Sequence, residues 1–285
     1  MKKMLPLILV MLVITAVLQG TSLINREDSP VAFHFEAEMG ALSVVHHTYQ
    51  VGENGDAFNF RTQGGQDILF PFTRFQAGML IKDRHLVELL YQPLTIVTKV
   101  PFEGPVGMDG KKLDGPMELT YGFPFYRATY GFDLLKDSRA QFFVGGVIQL
   151  RNASIIFAQL DGDSEDNDSE MVTSQNVGPV PALFIRGRYE FPSGLHLQGE
   201  ATGIFASSRF INGANFEFEG SLLDASLRAG YGLKNDTDVF GVVRFIGGTA
   251  SGTSESNRDR WSVPDETFTE NRLAIVSVSI GAALK

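Results

Sequence analysis

The stretch ALFIRGRYEFPSGLHLQGEATGI, residues 182–204, decides the fold that this sequence predicts. Apolar or small residues alternate with polar or charged residues on both sides of Pro192-Ser193-Gly194. A period of two residues, interrupted by a Pro/Gly turn, is typical of an antiparallel hairpin with one apolar and one charged face. Such a hairpin fits a soluble sandwich with its charges in water, or a membrane barrel with its charges in the lumen.

Composition restricts the class of protein further. The 285 residues contain no linker or break in composition, which favours one large all-β domain. With 44% hydrophobic residues, 30 glycines and 23 phenylalanines, the chain is too hydrophobic for disorder and too evenly interrupted for membrane-spanning helices. The absence of cysteine excludes disulfides and thiolate metal sites. A net charge of −9 argues against nucleic acid as a partner.

The N-terminus has the order of a secretory signal peptide. Lys2 and Lys3 precede an apolar run over residues 4–18. This run is shorter than the ~20 residues that a spanning helix needs. We therefore predict a signal peptide over residues 1–22 and a barrel domain over residues 23–285, with an uncleaved anchor as the alternative.

Ten strands follow from the two-residue period, and no convincing helical period appears beyond the signal. They are predicted at about residues 33–41, 69–82, 86–92, 119–135, 141–159, 182–191, 195–204, 223–231, 238–248 and 274–281. A short strand is expected at residues 57–61, and Pro93 predicts a bulge because proline cannot donate to the ladder.

The connections between these strands sort by length. Long ones are predicted at about residues 43–67, 101–117, 161–178, 207–220 and 249–269. Short turns are predicted at residues 82–85, 136–139, 192–194 and 234–237. Outer-membrane barrels have short periplasmic turns, long outer loops and an even number of strands, whereas a sandwich has no reason to alternate loop lengths. The aromatic residues near the short turns suit a periplasmic girdle; they are Phe132, Phe142, Tyr189, Phe191 and Tyr231.

Several hairpin segments carry a family resemblance. They read GMLIKDRH at residues 78–85, YRATY at residues 126–130 and RFIGG at residues 244–248. From about Phe33 onward the chain resembles small bacterial outer-membrane β-barrel proteins of the OmpA/OmpW-like kind, most closely members without assigned activity. It departs from them in ending on Leu284-Lys285, where such barrels usually end on an aromatic residue. The resemblance implies outer-membrane localisation and brings no catalytic residue with it.

The predicted fold is therefore all-β, a ten-stranded antiparallel transmembrane β-barrel with short periplasmic turns and long extracellular loops. Its inward faces carry seven acids and seven arginines, which we expect to pair across a narrow lumen. The acids are Glu36, Glu38, Glu88, Asp133, Glu190, Glu200 and Asp224, and the arginines are Arg74, Arg127, Arg151, Arg186, Arg188, Arg228 and Arg244. A lumen plugged by ion pairs predicts a structural or interaction role in the cell envelope.

Two other functions remain open at this point. The arginines suit a narrow channel for small anionic solutes. A barrel enzyme that acts on lipid or peptide at the outer rim would need a histidine with a carboxylate, and His46 and His47 with Glu53 or Asp56 are the candidates. His34 and His196, near Glu36 and Glu200 in sequence, fall at the periplasmic end. Omptin-type proteases use paired aspartates and an Asp/His couple at the outer rim, and the sequence has no matching set.

We predict no enzyme activity, catalytic residue, metal or cofactor. The acidic run at residues 161–168 lacks the central glycine and distal glutamate of an EF-hand loop, so a solvated surface loop is favoured over a cation site. The expected partners are outer-membrane lipid and an envelope or surface protein that binds the long loops.

Overall fold

Thirteen strands make up the computed structural model, which describes residues 29–51, 56–108, 111–135, 137–160, 171–207, 218–233, 236–255 and 266–284. The strands are β1 Val31–Val51, β2 Ala57–Asn59, β3 Leu69–Ile81, β4 His85–Gln92, β5 Thr95–Met108, β6 Lys111–Gly122, β7 Phe125–Asp133, β8 Ala140–Gln159, β9 Met171–Glu190, β10 Leu195–Ser207, β11 Phe218–Gly232, β12 Thr237–Glu255 and β13 Glu266–Leu284. Within these ranges, no helix is long and apolar enough to cross a membrane.

Ten of the strands close into a barrel. Their order is β1-β3-β4-β7-β8-β9-β10-β11-β12-β13, and β13 pairs back onto β1. Every pairing in this ring is antiparallel. The predicted ten-stranded antiparallel barrel is confirmed. The hairpin of β5 and β6 extends from the ring and pairs with β8, and β2 pairs with β1.

The connections alternate in length along the ring. Four short turns, at residues 82–84, 134–139, 191–194 and 233–236, lie at one end, which we call the short-turn end. The opposite end, the long-loop end, holds the longer connections. The tightest turn places Lys82 and Asp83 at φ 51° and 55°, and the Arg84 N–H donates to the Ile81 carbonyl at 3.1 Å. Positive φ at both central residues is typical of the type I′ turns that match the twist of a hairpin.

Apolar residues cover the outer surface of β11, β12 and β13 in five successive rows. From the short-turn end the rows are Tyr231/Val239/Ala282, Ala229/Gly241/Ile280, Leu227/Val243/Val278, Ala225/Phe245/Val276 and Leu223/Gly247/Ala274. The next row is polar and contains Ser221, Thr249 and Arg272. The apolar rows span roughly 26 Å along the strands, which is roughly 20 Å along the axis of a tilted barrel. That height approaches the ~25 Å apolar band of outer-membrane barrels.

Several strands extend beyond their predicted ends, so parts of the predicted long connections are wrong. β1 continues to Val51, and β12 and β13 cover much of residues 249–269. Their pairing persists up to Val51 opposite Thr269. β9 likewise begins at Met171, inside the predicted connection 161–178. In β12 and β13 the added residues are mostly polar on both faces, which hides the two-residue period. In β1 the apolar face changes from outward at Met39 to inward at Leu42 and Val44, and a bulge then shifts the register. Ladder hydrogen bonds form in both cases because they do not depend on side chains.

The predicted connection at residues 101–117 is also wrong, because β5 and β6 form a hairpin there. The hairpin is irregular: Pro101 lies opposite Pro116, and a bulge separates Phe102 from Val106. Neither proline can donate a ladder hydrogen bond, and the register shifts just beyond this pair. The chain leaves the strand at Pro93 between β4 and β5, where a bulge was predicted, and at Pro124, which splits the predicted strand 119–135.

Candidate functional site

The lumen contains two regions of different chemistry. Towards the long-loop end lies an apolar cluster, which we call the apolar half. Its buried residues are Leu42, Val44, Tyr49, Phe58, Phe60, Phe70, Phe72, Leu90, Leu94, Ile96, Phe102, Leu113, Met117, Leu119, Tyr121, Phe123, Phe125, Ile155, Phe157, Leu273 and Ile275. Towards the short-turn end lies a network of arginines and carboxylates, which we call the charged half.

Residues 57–66 contribute the centre of the apolar half. Phe58 and Phe60 are 1% and 0% exposed, and their rings meet edge to face at 5.0 Å. Both rings also contact Phe157 on the opposite wall, at 5.2 and 5.4 Å between centroids. Such aromatic contacts stabilise beyond the area that they bury. The segment therefore fills this part of the lumen.

Polar contacts hold residues 57–66 in place. The Phe60 N–H donates to the His47 carbonyl at 3.0 Å, and the Thr98 hydroxyl donates to the Gly64 carbonyl. The His47 Nδ1 lies 2.9 Å from the Gln66 Oε1, and both side chains are fully buried. The His47 ring stacks on Phe60 at 4.2 Å. Strand β1 is thus tied to the inserted segment by backbone, side chain and ring.

His46 and His47 do not lie in a loop at the outer rim, where the sequence predicted them. They belong to strand β1 rather than to a loop. His47 points into the apolar half, and exposed His46 lies 3.4 Å from the Thr48 hydroxyl. Of their predicted partners, Asp56 is exposed and Glu53 lies outside the described residues. Adjacent side chains of a strand point to opposite faces, and the β-bulge between Val44 and His46 shifts the register so that His47 rather than His46 points inward.

Asp224 is the centre of the charged half. Its carboxylate accepts hydrogen bonds from Arg127 and from Arg244, whose Nε donates at 2.6 Å. Arg127 also donates to the Gln149 Oε1 at 2.8 Å, and Arg244 donates to the Gln92 Oε1 at 3.1 Å. All five side chains are buried. Arg127 on β7 and Asp224 on β11 are four strands apart in the ring, so this pair bridges the lumen.

Glu88 and Arg186 form a second bridge across the lumen. Two guanidinium nitrogens of Arg186 donate to the two Glu88 oxygens at 2.8 and 2.6 Å. The Arg186 Nε donates to Glu200 at 2.9 Å. The His34 Nε2 lies 3.0 Å from Glu88. Glu200 also lies 4.0 Å from Arg127, which connects this bridge to Asp224.

Glu36 and Glu38 form a third group on β1. Arg228 binds Glu36 in the same two-pronged way, at 2.9 and 2.6 Å, and its guanidinium lies 3.8 Å from the ring centre of Phe240. Arg74 donates to Glu38 at 3.1 Å, and the Ser279 hydroxyl donates to Glu38 at 2.9 Å. Arginine suits these positions because its planar fork matches a carboxylate and stays charged when buried.

At the short-turn end the pairing loosens. The Nη2 of Arg188 lies 3.3 Å from Asp238 and 3.4 Å from Glu190, whose side chain is 50% exposed. Buried His196 lies 3.8 Å from Asp238. The two inward histidines therefore meet Glu88 and Asp238, and not the carboxylates that are near them in sequence.

Asp133 stands apart from the network among the described residues. The buried carboxylate of Asp133 accepts backbone N–H bonds from Leu135 and Phe142, at 3.0 and 2.9 Å. The side chain of Arg151 lies outside the described residues. In the neighbouring short turn, the backbone N–H groups of Arg139 and Ala140 donate to Asp137 and hold the pKa of that carboxyl below its usual range.

Sequence reasoning missed the neutral partners of the network and Asp238. Gln76, Gln92 and Gln149 accept hydrogen bonds from Arg74, Arg244 and Arg127 respectively. All three glutamines occupy inward positions of the two-residue period, and Asp238 shares its face with Arg244. The period alone would have found them, because it does not depend on charge.

A cavity of about 270 Å³, lined by both charged and apolar side chains, lies between the ion pairs and the short-turn end, where it opens. The ion pairs and the apolar half lie between this cavity and the long-loop end. Within the described ranges, no group of three or more histidine, aspartate or glutamate side chains could hold a metal ion. The acidic run at residues 161–168 lies outside those ranges.

Known proteins resemble this chain in their barrel structure and not in their sequence. Neither a protein-family model nor a curated protein sequence matches this chain. The outer membrane protease OmpT from Escherichia coli is similar with a TM-score of 0.49 and 10% identity, over 88% of this chain and 96% of that chain. The outer membrane protein OprG from Pseudomonas aeruginosa has a TM-score of 0.35 and 10% identity, over 90% and 96%. Ail, the attachment invasion locus protein of Yersinia pestis, has a TM-score of 0.28 and 8% identity, over 87% and 98%.

These similarities do not test the narrower resemblance to OmpA/OmpW-like proteins, which stays a prediction. They also include proteins of different kinds, a protease and an attachment protein among them, and so assign no activity to this chain.

Proposed function

We propose that this chain is an integral outer-membrane barrel with a closed lumen, and that its role in the cell envelope is structural or interactive. One observation supports the proposal: side chains fill both halves of the lumen, with ion pairs in one half and aromatic rings in the other. Ion pairs such as Arg186 with Glu88 span it near the short turns, and Phe58 and Phe60 reach Phe157 near the long loops. An ion that entered would have to displace both fillings.

The five apolar rows on β11, β12 and β13 support residence in a membrane. Outer-membrane lipid is the partner that we propose for this surface. For the long-loop end we propose an envelope or surface protein as the partner. The proposed export signal at residues 1–22 lies outside the described residues.

Membrane residence is tested by heat-modifiability. The chain is purified in detergent and run unboiled and boiled on a gel, beside a far-UV circular dichroism spectrum. We expect a mobility shift and a β-rich spectrum, because a closed barrel resists detergent until it is heated. A chain that stays soluble without detergent and shows no shift would contradict the proposal.

The closed lumen is tested by conductance in a planar bilayer. We expect no stepwise conductance from the native chain. A matched control replaces residues 57–66 with a short Gly/Ser turn and removes both bridges across the lumen, by Arg127→Ala with Asp224→Ala and by Glu88→Ala with Arg186→Ala. That variant should conduct if it inserts. Stepwise conductance by the native chain, altered in Arg186→Gln or Arg228→Gln, would favour the narrow anion channel.

The role of the loops is tested by cross-linking in intact cells. Replacing residues 161–170 with a four-residue turn should remove a cross-linked envelope partner while heat-modifiability stays intact. A matched variant replaces Ser193 in a short turn and should keep that partner. Identical cross-linked products from both variants and the native chain would place the interaction elsewhere.

A further inference from the structure

The cavity at the short-turn end contains a group of polar side chains that the closed lumen does not explain. Gln141, Arg188 and Gln198 form one row across three adjacent strands, since Arg188 lies opposite Gln141 on β8 and opposite Gln198 on β10. All three side chains line the cavity. We call these three residues the donor row.

The donor row has unused hydrogen-bonding capacity. Within the described part of the chain, neither Gln141 nor Gln198 has a side-chain hydrogen bond, although both are partly buried. Arg188 uses only Nη2, and its two carboxylate contacts measure 3.3 and 3.4 Å. In contrast, the other network arginines each donate to a carboxylate at 3.1 Å or less; these are Arg74, Arg127, Arg186, Arg228 and Arg244.

The charged groups around the donor row indicate which carboxylate an external ligand can displace from Arg188. Glu36 and Glu88 are already held by Arg228 and Arg186. The remaining groups that line the cavity are Arg139, Arg188, His34, Glu190 and Asp238, and His34 is bound to Glu88. Asp238 is buried, whereas half of the Glu190 side chain is exposed to solvent. Glu190 is therefore the carboxylate that can leave Arg188 without losing its hydration.

We propose that the donor row binds a carboxylate ligand that enters from the short-turn end. The ligand is a small free carboxylate or the carboxyl end of a peptide, and its oxygens take the place of Glu190 on Arg188. A guanidinium fork holds two carboxylate oxygens, and the flanking primary amides donate to the same oxygens from either side. The cavity of about 270 Å³ holds a group of this size. Under the proposed function this ligand comes from the periplasm.

The experiment uses the folded full-length barrel in detergent micelles, labelled with ¹⁵N in its glutamine and arginine side chains. The probes are N-acetyl-alanyl-alanine, the same dipeptide with a C-terminal carboxamide, and propionate. We expect the side-chain amide signals of Gln141 and Gln198 to shift with the first probe and not with the carboxamide. Propionate separates the two sources of the carboxylate. If propionate binds as tightly as the acetylated dipeptide, the ligand is a small free carboxylate; if it binds more weakly, the ligand is the carboxyl end of a peptide.

Two substitutions give opposite expectations. Arg188→Gln should weaken binding of the acetylated dipeptide by about tenfold or more, because a charge-assisted bond is lost. Glu190→Gln should strengthen it by about two- to threefold, because a competing like charge is removed near the surface. Lys99→Gln removes a charge on the outside of β5 and should leave binding unchanged.

The proposal is overturned if the carboxamide binds as tightly as the free carboxylate. It is also overturned if Arg188→Gln binds normally, or if Glu190→Gln binds more weakly than the native chain. Heat-modifiability of each variant verifies that it folds. A native chain that does not fold in micelles would count against the proposed membrane function, whereas a folded barrel that binds no probe would count against the donor row alone.

Discussion

The two halves of the lumen show two ways to fill a narrow barrel. In the apolar half, rings from residues 57–66 fill the space by shape, and many small contacts share the stabilisation. In the charged half, a few arginines reach across the lumen, and several carboxylates bind more than one partner, as Asp224 binds Arg127 and Arg244. In a packed apolar region the loss of stability grows gradually with the volume removed, whereas a buried charge that loses its partner is left uncompensated. The charged half should therefore be the more brittle of the two.

The largest effect is expected from Asp224→Asn. The substitution keeps the shape of the side chain but leaves Arg127 and Arg244 without the carboxylate between them. We expect the free energy of unfolding to fall by about 3–5 kcal/mol, because two buried cations lose their compensation. The measurement is a urea titration of the barrel in lipid vesicles.

Asp133→Asn is the matched control for that experiment. Asp133 is equally buried, but its carboxylate accepts only backbone N–H bonds among the described residues. We expect a loss of about 1–2 kcal/mol. Equal losses for Asp224→Asn and Asp133→Asn would show that the ion pairs confer no special brittleness.

Phe58→Ala tests the apolar half and should be somewhat less damaging. Phe58 is 1% exposed and contacts Phe60, Phe102 and Phe157. We expect a loss of about 3 kcal/mol, at the lower end for a buried phenylalanine, because the inserted segment can relax into the space. Phe58→Leu should cost about 1 kcal/mol, and this gradation separates packing from charge pairing. An all-or-none response to both substitutions would contradict it.

Replacing a whole ion pair should cost less than breaking it. Glu36→Met leaves Arg228 without its two-pronged partner and should cost about 3 kcal/mol. Glu36→Met combined with Arg228→Leu should lie within about 1 kcal/mol of the native chain, because apolar groups of similar size replace both charges. A double variant that loses as much stability relative to the native chain as the single variant would show that apolar groups do not replace the pair.

The smallest effect is expected from Lys99→Ala on the hairpin of β5 and β6. Lys99 lies 3.2 Å from Glu118, and both side chains reach solvent. We expect a loss of less than about 0.5 kcal/mol, because water screens exposed pairs. A loss above 1 kcal/mol would mean that burial does not explain the brittleness of the charged half.

The two-residue period was sufficient to predict the barrel and the inward face of most strands. Alternation at residues 182–204 identifies a hairpin, and the same two-residue period places Arg186, Glu88 and Asp224 on inward faces. This works because a side chain's face in a strand depends only on whether its position is odd or even. The period failed where both faces are mostly polar, as in the extensions of β12 and β13, and where prolines interrupt β5 and β6. It also failed in β1, where the apolar face changes from outward at Met39 to inward at Leu42 and Val44.

The period does not predict which residues meet across the lumen; the closed barrel determines this. His34 lies two residues from Glu36 in sequence, yet it binds Glu88 on another strand, and Glu36 binds Arg228, 192 residues away. It also decided that residues 57–66 turn inward and that His47 is buried beside Phe60. The physical reason is closure: the two-residue period fixes a face, but partners across the lumen depend on the tilt and register of all ten strands together.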